Sequence, residues 1–270
     1  GGTGIAVLTR ARRALLVDGR YTVQARQQTD FEVIEYAKSP YELLKGFGMR
    51  KVGFEDDTVT YKQYNLICSA LPEAELTGVS GVLGRMRQVK RAEEQDAIRT
   101  AERIGDLAFS HILRFIKPGV TESAIALELE YFMKKNGASG LSFHTIVAAG
   151  ARAALPHADV TDRPVQSGEL VLMDFGCVYH GYCSDMTRTV AVGQVSDEIR
   201  AVYDTVLRAQ KAALAAVKAG VPCREVDAAA RDIIRAADCG GQFNHALGHG
   251  VGLEIHEEPR LSPASEQTLQ

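Results

Sequence analysis

Short apolar runs and helically spaced apolar residues alternate over the first part of the chain. The run 14–17 (ALLV) predicts a buried strand that ends in a turn at Asp18-Gly19. A second strand is predicted at 51–54, followed by a helix over about 61–70. This alternation indicates a small α/β domain over residues 1–85, since a glycine-rich stretch interrupts the pattern where that domain ends.

Residues 86–270 open with a long amphipathic helix. Apolar residues recur every three or four positions and predict one buried face: Ile98, Ala101, Ile104, Ala108, Ile112 and Phe115. Pro118-Gly119 ends this helix, Thr121 is a predicted N-cap of the next one, and Asn136-Gly137 ends that second helix.

Strand-like runs follow, and two more helices come after them. The runs predict strands at 144–149, 169–179 and 183–192. Ser196 is the predicted N-cap of a third helix, and a fourth is predicted to end near Ala237. The third helix has a predicted buried face: Ile199, Val202, Val206, Ala209, Ala213 and Val217.

A shift of 101 residues aligns two halves of this region with each other. The stretch 117–120 (KPGV) aligns with 218–221 (KAGV), and Phe143-His144 aligns with Asn244-His245. Each half contains a long helix, a turn, a second helix and then strand-like residues with histidines. We therefore predict an α+β domain with pseudo-two-fold symmetry and a functional site where the halves meet.

Composition narrows the class of protein. The 270 residues are 46% hydrophobic and 24% charged, which suits one or two globular domains. A net charge of −3 argues against nucleic acid and anionic membranes as partners. The five cysteines form no CxxC pair, and no apolar run approaches the roughly 20 residues of a membrane span. We expect a cytoplasmic protein.

The motif MDFGCVYHGYCSDMTRT (173–189) carries the strongest chemical signal, because Asp174 and Asp185 lie in two runs joined by a turn. A hairpin centred on Tyr179-His180 would place these carboxylates directly opposite each other, with Cβ atoms roughly 5 Å apart. Two such anions repel by roughly 3 kcal/mol at an effective dielectric of about 20, so a cation or a shared proton is required. Carboxylate oxygens suit Mn²⁺, Mg²⁺, Co²⁺ or Zn²⁺. The alternative, a solvated surface hairpin, is disfavoured by the apolar run 170–173.

A second motif, HALGHGVGLEIHEEP (245–259), carries His245, His249 and His256 among three glycines. Glycine lets the backbone approach a site closely, and imidazole is a common metal ligand and acid–base group. The spacing of His245 and His249 also suits a helical zinc pair, but alternating glycines disfavour a helix. A dinucleotide-binding loop is a further alternative, although the residues after the glycines show no helical start.

His157 follows Leu155-Pro156 and, taken alone, is typical of a turn. Its position in the repeat lies close to that of His256, which makes it a third candidate for the site.

These motifs together resemble the creatinase/aminopeptidase P/prolidase family, the proline-specific "pita-bread" metallopeptidases. The stretches LLVDGRYTVQA (15–25) and QVKRAEEQDAIRTA (88–101) resemble the family's amino-terminal domain and its junction, and the two motifs above resemble its catalytic domain. The resemblance implies an incomplete creatinase-like α/β domain at 1–85. It also implies a pita-bread catalytic domain at 86–270, with an antiparallel sheet flanked by helices.

The resemblance further implies a dinuclear metal centre. Asp174 would chelate one ion, Asp185 would bridge both ions, and His249 would ligate the second. Mn²⁺ is the expected metal, with Zn²⁺ or Co²⁺ as alternatives, and together the ions would activate the nucleophile and polarise the scissile carbonyl.

The resemblance also implies catalytic or substrate-binding roles for three histidines. His256 would shuttle a proton or stabilise the tetrahedral intermediate, while His157 and His245 would contact the substrate. The substrate would be a peptide with proline in the second position, and the protein would form a homodimer.

The family has two further glutamate ligands, on strands that would begin just after Gln270. Three protein ligands do not hold two ions tightly, because each ion needs about four to six donors. We therefore interpret the chain as a fragment without its C-terminal part, and we expect the fragment itself to be inactive and its parent active.

These features agree with some functions of the fold better than with others. The leading hypothesis is an Xaa-Pro aminopeptidase, and the neighbouring alternative is an Xaa-Pro dipeptidase with the same metal chemistry. A binding module that has lost catalysis is possible on any enzyme fold. Methionine aminopeptidase or creatine-hydrolysing activity is disfavoured, because the chain has an added amino-terminal domain and no feature that indicates a guanidino substrate.

Overall fold

The computed structural model describes residues 4–270, and Gly1–Thr3 lie outside that description. The chain divides into two compact units, Gly1–Leu83 and Gly84–Gln270, whereas the sequence places the domain boundary at residue 85. Among the described residues, no helix has both the length and the apolar character needed to cross a bilayer.

The first unit is a small α/β arrangement. Its elements are β1 (Gly4–Leu8), β2 (Arg13–Asp18), α1 (Thr22–Gln28), β3 (Glu32–Tyr36), a 3₁₀ helix (Pro40–Phe47), β4 (Lys51–Phe54), α2 (Tyr61–Ala70) and β5 (Glu75–Gly78). One sheet has the order β1-β2-β3, and β4 pairs in parallel with β5. The predicted strands at 14–17 and 51–54 and the helix at 61–70 are confirmed. The buried side chains of Val7, Leu16, Leu44, Ala70 and Leu71 form the core of this unit.

The second unit carries the predicted motifs. Its elements, with α3 at the division, are α3 (Val82–Gln88), α4 (Ala92–Ile112), α5 (Glu122–Lys135), β6 (Gly140–Leu141), β7 (Ile146–Ala149), a 3₁₀ helix (Gly150–Ala154), β8 (Glu169–Phe175), β9 (Cys177–Tyr179), β10 (Tyr182–Cys183), β11 (Met186–Val192), α6 (Asp197–Ala216), α7 (Cys223–Ala236), a 3₁₀ helix (Gly240–Gln242), β12 (Gly248–Gly250) and β13 (Glu257–Leu261). The antiparallel sheets have the orders β11-β8-β7, β10-β9-β6 and β12-β13.

The core of this unit lies between α4, α5 and the β8 sheet. Ile104, Ala108 and Ile112 of α4 are buried, as the helical spacing predicts. In β8 the alternate residues Met173 and Phe175 are fully buried, because successive side chains of a strand point to opposite faces. This burial fixes one face of β8 against the helices and turns Asp174 to the other face.

The predicted buried face of α6 is only partly correct. Ala209 and Ala213 are buried, but Val202 and Val206 are about half exposed, at 48% and 52%. The residue that completes the buried stripe is Thr205, four positions before Ala209. Small side chains let α6 pack closely on α7, so the contact face follows residue size here and not hydrophobicity alone.

The internal repeat is supported by backbone hydrogen bonds whose donors are equivalent under the 101-residue shift, while their acceptors are offset by three further residues. The amide of Gly119 donates to the carbonyl of Val165 over 2.8 Å, and the amide of Gly220 donates to the carbonyl of Leu269 over the same distance. Buried helix residues also match under the 101-residue shift, as with Ile125 and Val226. The two halves therefore share one backbone plan.

Candidate metal centre

Asp174 lies on β8 opposite Thr187 of β11, whose hydroxyl donates a 2.8 Å hydrogen bond to the Asp174 carboxylate. The prediction that Asp185 lies directly opposite Asp174 is therefore wrong. The turn is centred on His180-Gly181, where both residues have positive φ, 48° and 85°. A two-residue hairpin turn of this kind needs positive φ at both positions, and Gly181 suits the second one. The register shifts by two residues as a result.

Asp185 lies in a short irregular segment between β10 and β11. Its backbone amide donates to the carboxylate of Glu102 on α4 over 3.1 Å. The preceding residue, Ser184, is also fixed, because its carbonyl accepts a 2.7 Å hydrogen bond from the Ser142 hydroxyl. Cys183 in turn donates its amide to the carbonyl of Gly252 over 2.7 Å. The backbone at Asp185 is thus held by groups from α4, the loop after β6 and the second histidine motif.

His249 lies on β12, in extended backbone, so the motif is not a helical zinc pair. Its Nδ1 donates to the Gly250 carbonyl over 2.9 Å, and its Nε2 lies 3.4 Å from Oδ2 of Asp185. A backbone acceptor at Nδ1 fixes the tautomer that leaves Nε2 free to bind a ligand. When the ring is doubly protonated, Nε2 donates to Asp185 instead, and this hydrogen bond raises the pKa of His249 against the opposing effect of burial.

The remaining candidates surround this pair. Burial raises the pKa of Asp174, and the charge of Asp185 adds to the effect, while His157 and His249 lower it. The ring of His256 lies 4.4 Å from that of His249, in an edge-to-face arrangement. Burial and the nearby His249 lower the pKa of His256, which favours a neutral ring near pH 7. Asp174 and His256 each interact electrostatically with Asp185, His157 and His249, so five of the six predicted residues belong to one cluster.

His245 is separate from this cluster. It is exposed, its Nδ1 donates to the Ala246 carbonyl over 2.7 Å, and its ring lies edge-on to Phe243 at 4.8 Å. Among residues 4–270 it makes no hydrogen bond or ring contact with another predicted site residue. Its predicted role in substrate contact stays a prediction.

The donor chemistry of the cluster fits a divalent cation. Two carboxylates and an imidazole are the ligand types that Mn²⁺, Zn²⁺ and Co²⁺ accept. Asp185 and His249 already meet, whereas Asp174 is engaged by Thr187. Within the described part of the chain, no three His, Cys, Asp or Glu side chains stand close enough together to hold an ion. A cation bound here would offset the charge repulsion between the Asp174 and Asp185 carboxylates.

Glu102 is a site residue that the sequence motifs did not indicate. Burial raises the pKa of its carboxyl group, which accepts the amide of Asp185. The sequence feature that could have indicated Glu102 is its position on α4, where it lies between Ala101 and Gly105 in an otherwise apolar stripe. A carboxylate on a buried helix face needs a partner, and Asp185 provides the donor.

Glu257 anchors the strand that follows His256. Its side chain is only 6% exposed, and it forms ion pairs with Arg87 and with Lys90, the latter at 2.9 Å. Burial would raise the pKa of Glu257, but hydrogen bonds from Lys90 and Arg87 outweigh it and hold the pKa below its usual range. The start of β13 is thereby fixed to the segment before α4.

Glu257→Gln is expected to reduce the free energy of unfolding by about 1–3 kcal/mol at pH 7, because Lys90 loses its charged partner and Arg87 retains only the more exposed Glu254. Since the folded-state pKa is depressed, ionised Glu257 stabilises the fold above its ordinary value of 4.5. That contribution is lost as the pH falls through the folded-state value. Urea unfolding at pH 7 and below about pH 4 measures both effects. The exposed Glu266→Gln serves as control, and an equal response of both variants would contradict the anchoring role.

Matches to known families define the class of protein. Residues 96–270 match the sequence profile of "Metallopeptidase family M24", and residues 1–89 match the "Creatinase/Prolidase N-terminal domain". The chain therefore belongs to metallopeptidase family M24. The resemblance drawn from the sequence motifs is confirmed.

Individual relatives agree with this assignment. The structure of an Xaa-Pro dipeptidase from Bacillus anthracis superposes with a TM-score of 0.96 at 41% identity, covering 100% of this chain and 77% of that one. An X-Pro aminopeptidase from Thermotoga maritima gives a TM-score of 0.93 at 39% identity, covering 100% and 78%. The curated Xaa-Pro dipeptidase of Pyrococcus furiosus is 36% identical over 271 residues, covering 100% of this chain and 77% of the relative. The α+β pita-bread fold class is confirmed as well.

Proposed function

We propose that the protein is a metal-dependent Xaa-Pro dipeptidase, which hydrolyses the bond between a first residue and a following proline. The proposal reverses the order of the two leading hypotheses from the sequence. Its main support is the approach of Asp185 to His249, in a chain whose relatives of named activity are mostly Xaa-Pro dipeptidases.

In this proposal Asp174, Asp185 and His249 supply three of the ligands for two divalent ions, with Mn²⁺ as the expected metal. Bound there, the metal would supply an activated water and polarise the scissile carbonyl. Neutral His256 can donate a hydrogen bond to the oxygen that becomes negative during attack. His157 and His245 would bind and orient the dipeptide. A cytoplasmic location and a homodimer remain part of the proposal.

Xaa-Pro aminopeptidase activity is the second candidate, favoured by the similarity to the Thermotoga maritima enzyme. The two activities share the metal chemistry and differ in the space available beyond proline. A binding module without catalysis is the third candidate, and it would retain the fold without turnover.

Substrate length separates the candidates. With added Mn²⁺, the full-length protein is expected to release alanine from Ala-Pro and to act at least about 100-fold more slowly, by kcat/KM, on Ala-Pro-Ala, because a dipeptidase site excludes the longer chain. Ala-Ala tests the requirement for proline. Equal release from dipeptide and tripeptide would favour the aminopeptidase. Absence of bound metal and of turnover on every peptide would favour the binding module.

A further inference from the structure

Arg231 on α7 organises the segment that carries His245. Its guanidinium donates two hydrogen bonds to Asp227, of 2.6 and 2.8 Å, and one each to the carbonyls of Phe243 and His245, both 2.9 Å long. Asp227 is 1% exposed and also accepts the amide of Leu247 over 3.2 Å. The Arg231 pair, meaning Asp227 with Arg231, therefore binds the His245 segment (243–247) through three of its backbone groups.

The same guanidinium also sets the surroundings of the imidazole. It lies over the ring of Phe243 at 4.3 Å, and His245 packs edge-on against that ring at 4.8 Å. Only a planar fork with several donors can bind a carboxylate and two carbonyls at once, and lysine has no such geometry. The position of the His245 ring therefore depends on Arg231 through both its backbone and Phe243.

A comparable arrangement holds the segment that carries His157. Glu122 at the start of α5 is fully buried, and its carboxylate accepts the amide of Ala149 over 2.8 Å and the hydroxyl of Thr161 over 2.6 Å. Arg152, within the segment, completes the Glu122 pair at 3.3 Å. One carboxylate thus binds both ends of the His157 segment (149–161) and an arginine inside it.

The repeat itself does not account for these two pairs. Under the 101-residue shift, Cys223 is equivalent to Glu122 and Ala126 is equivalent to Asp227. The same chemistry therefore arises at different positions of the two halves, each time beneath a loop with a histidine. Buried ion pairs are also poor sources of net stability, since apolar residues often replace them without loss. Their specific effect here is to hold each loop in one position through hydrogen bonds to its backbone.

We propose that the Arg231 pair and the Glu122 pair are positioning residues, which set the imidazoles of His245 and His157 for substrate binding. The inference rests on the proposed function, because it requires both histidines to contact the dipeptide. Neither pair touches Asp174, Asp185 or His249, so the metal content should not depend on them.

A double-mutant cycle in the full-length protein, with Ala-Pro as substrate and bound metal measured in each variant, tests the inference. Arg231→Lys is expected to raise KM about tenfold, while kcat changes by at most about twofold and the metal content stays the same. A raised KM with little change in kcat is the result expected when a variant loses substrate binding. His245→Ala should do the same. The double variant should bind no more weakly than His245→Ala alone, because the arginine acts through that histidine. Arg235→Lys, whose partner Asp232 is equally exposed at the surface, is the matched control.

Additive effects of the two substitutions would overturn the positioning role while leaving the function of His245 intact. An unchanged KM in His245→Ala would instead reject the proposed substrate contact. If Arg231→Lys fails to fold, Asp227→Asn replaces it in the cycle, because asparagine retains an acceptor for the Leu247 amide. The corresponding cycle of Glu122→Gln with His157→Ala tests the positioning role of the Glu122 pair by the same criteria.

Discussion

Asp185→Asn in the full-length protein is expected to lower kcat/KM for Ala-Pro by about 10³-fold or more. The carboxylate is the proposed bridge between two cations, and metal stabilisation of developing charge is worth several kcal/mol. Asparagine keeps the shape of the side chain but removes the charge and one acceptor oxygen. The backbone amide of residue 185 still donates to Glu102, so the fold should persist.

Steady-state kinetics and metal analysis of the same sample provide the measurement. Loss of activity should coincide with loss of bound metal, while the circular dichroism spectrum stays unchanged. Asp204→Asn, on the exposed surface of α6, is the matched control and should retain full activity and metal content. Near-normal turnover of the Asp185 variant would remove the bridging assignment.

Gly176→Ala is expected to reduce the free energy of unfolding by about 3 kcal/mol, near the upper end for an overpacked core. A Cβ at this position would lie 2.0 Å from the Ser184 carbonyl oxygen and 2.4 Å from the Ser142 hydroxyl. Both distances are below van der Waals contact, and the first involves backbone that cannot rotate away. The strain falls on the residue directly before Asp185, so metal affinity should fall with stability.

Urea unfolding of the variant and titration with Mn²⁺ measure these two effects. Gly140→Ala is the control, because a Cβ there meets no atom within 4 Å and the backbone φ is not positive. That variant should differ from wild type by at most about 1 kcal/mol. Unchanged stability of Gly176→Ala would show that the segment around Ser184 is not tightly held.

Much of the fold could be predicted from the regular spacing of apolar residues along the sequence. The buried face of α4 and the internal repeat follow from local spacing, and the structure reproduces both. The hairpin register did not follow, because the backbone preference of Gly181 moved the turn by one position. The face of α6 was misjudged because small residues form its contact with α7, and hydrophobic spacing alone does not distinguish packing by size.

Those residues of the candidate site that lie within the two sequence motifs could be predicted. The motifs placed Asp185, His249 and His256 in one site, and the structure brings them together. Glu102 and Glu122 were not predictable, since a glutamate on a helix is usually solvated. Their partners lie far away in sequence, on segments whose approach depends on tertiary packing. A glutamate that accepts hydrogen bonds from a distant loop is therefore recognised only from the three-dimensional structure.

The division of ligands between the repeat halves has a thermodynamic consequence. Asp185 is contributed by the first half and His249 by the second, so a cation held between them would act as a cross-link within the domain. Because a metal site of this kind does not exist in the unfolded chain, the affinity for the ion adds directly to the stability of the assembled halves. Heat resistance would then rise with the free metal concentration, and a chelator would loosen the junction as well as stop catalysis.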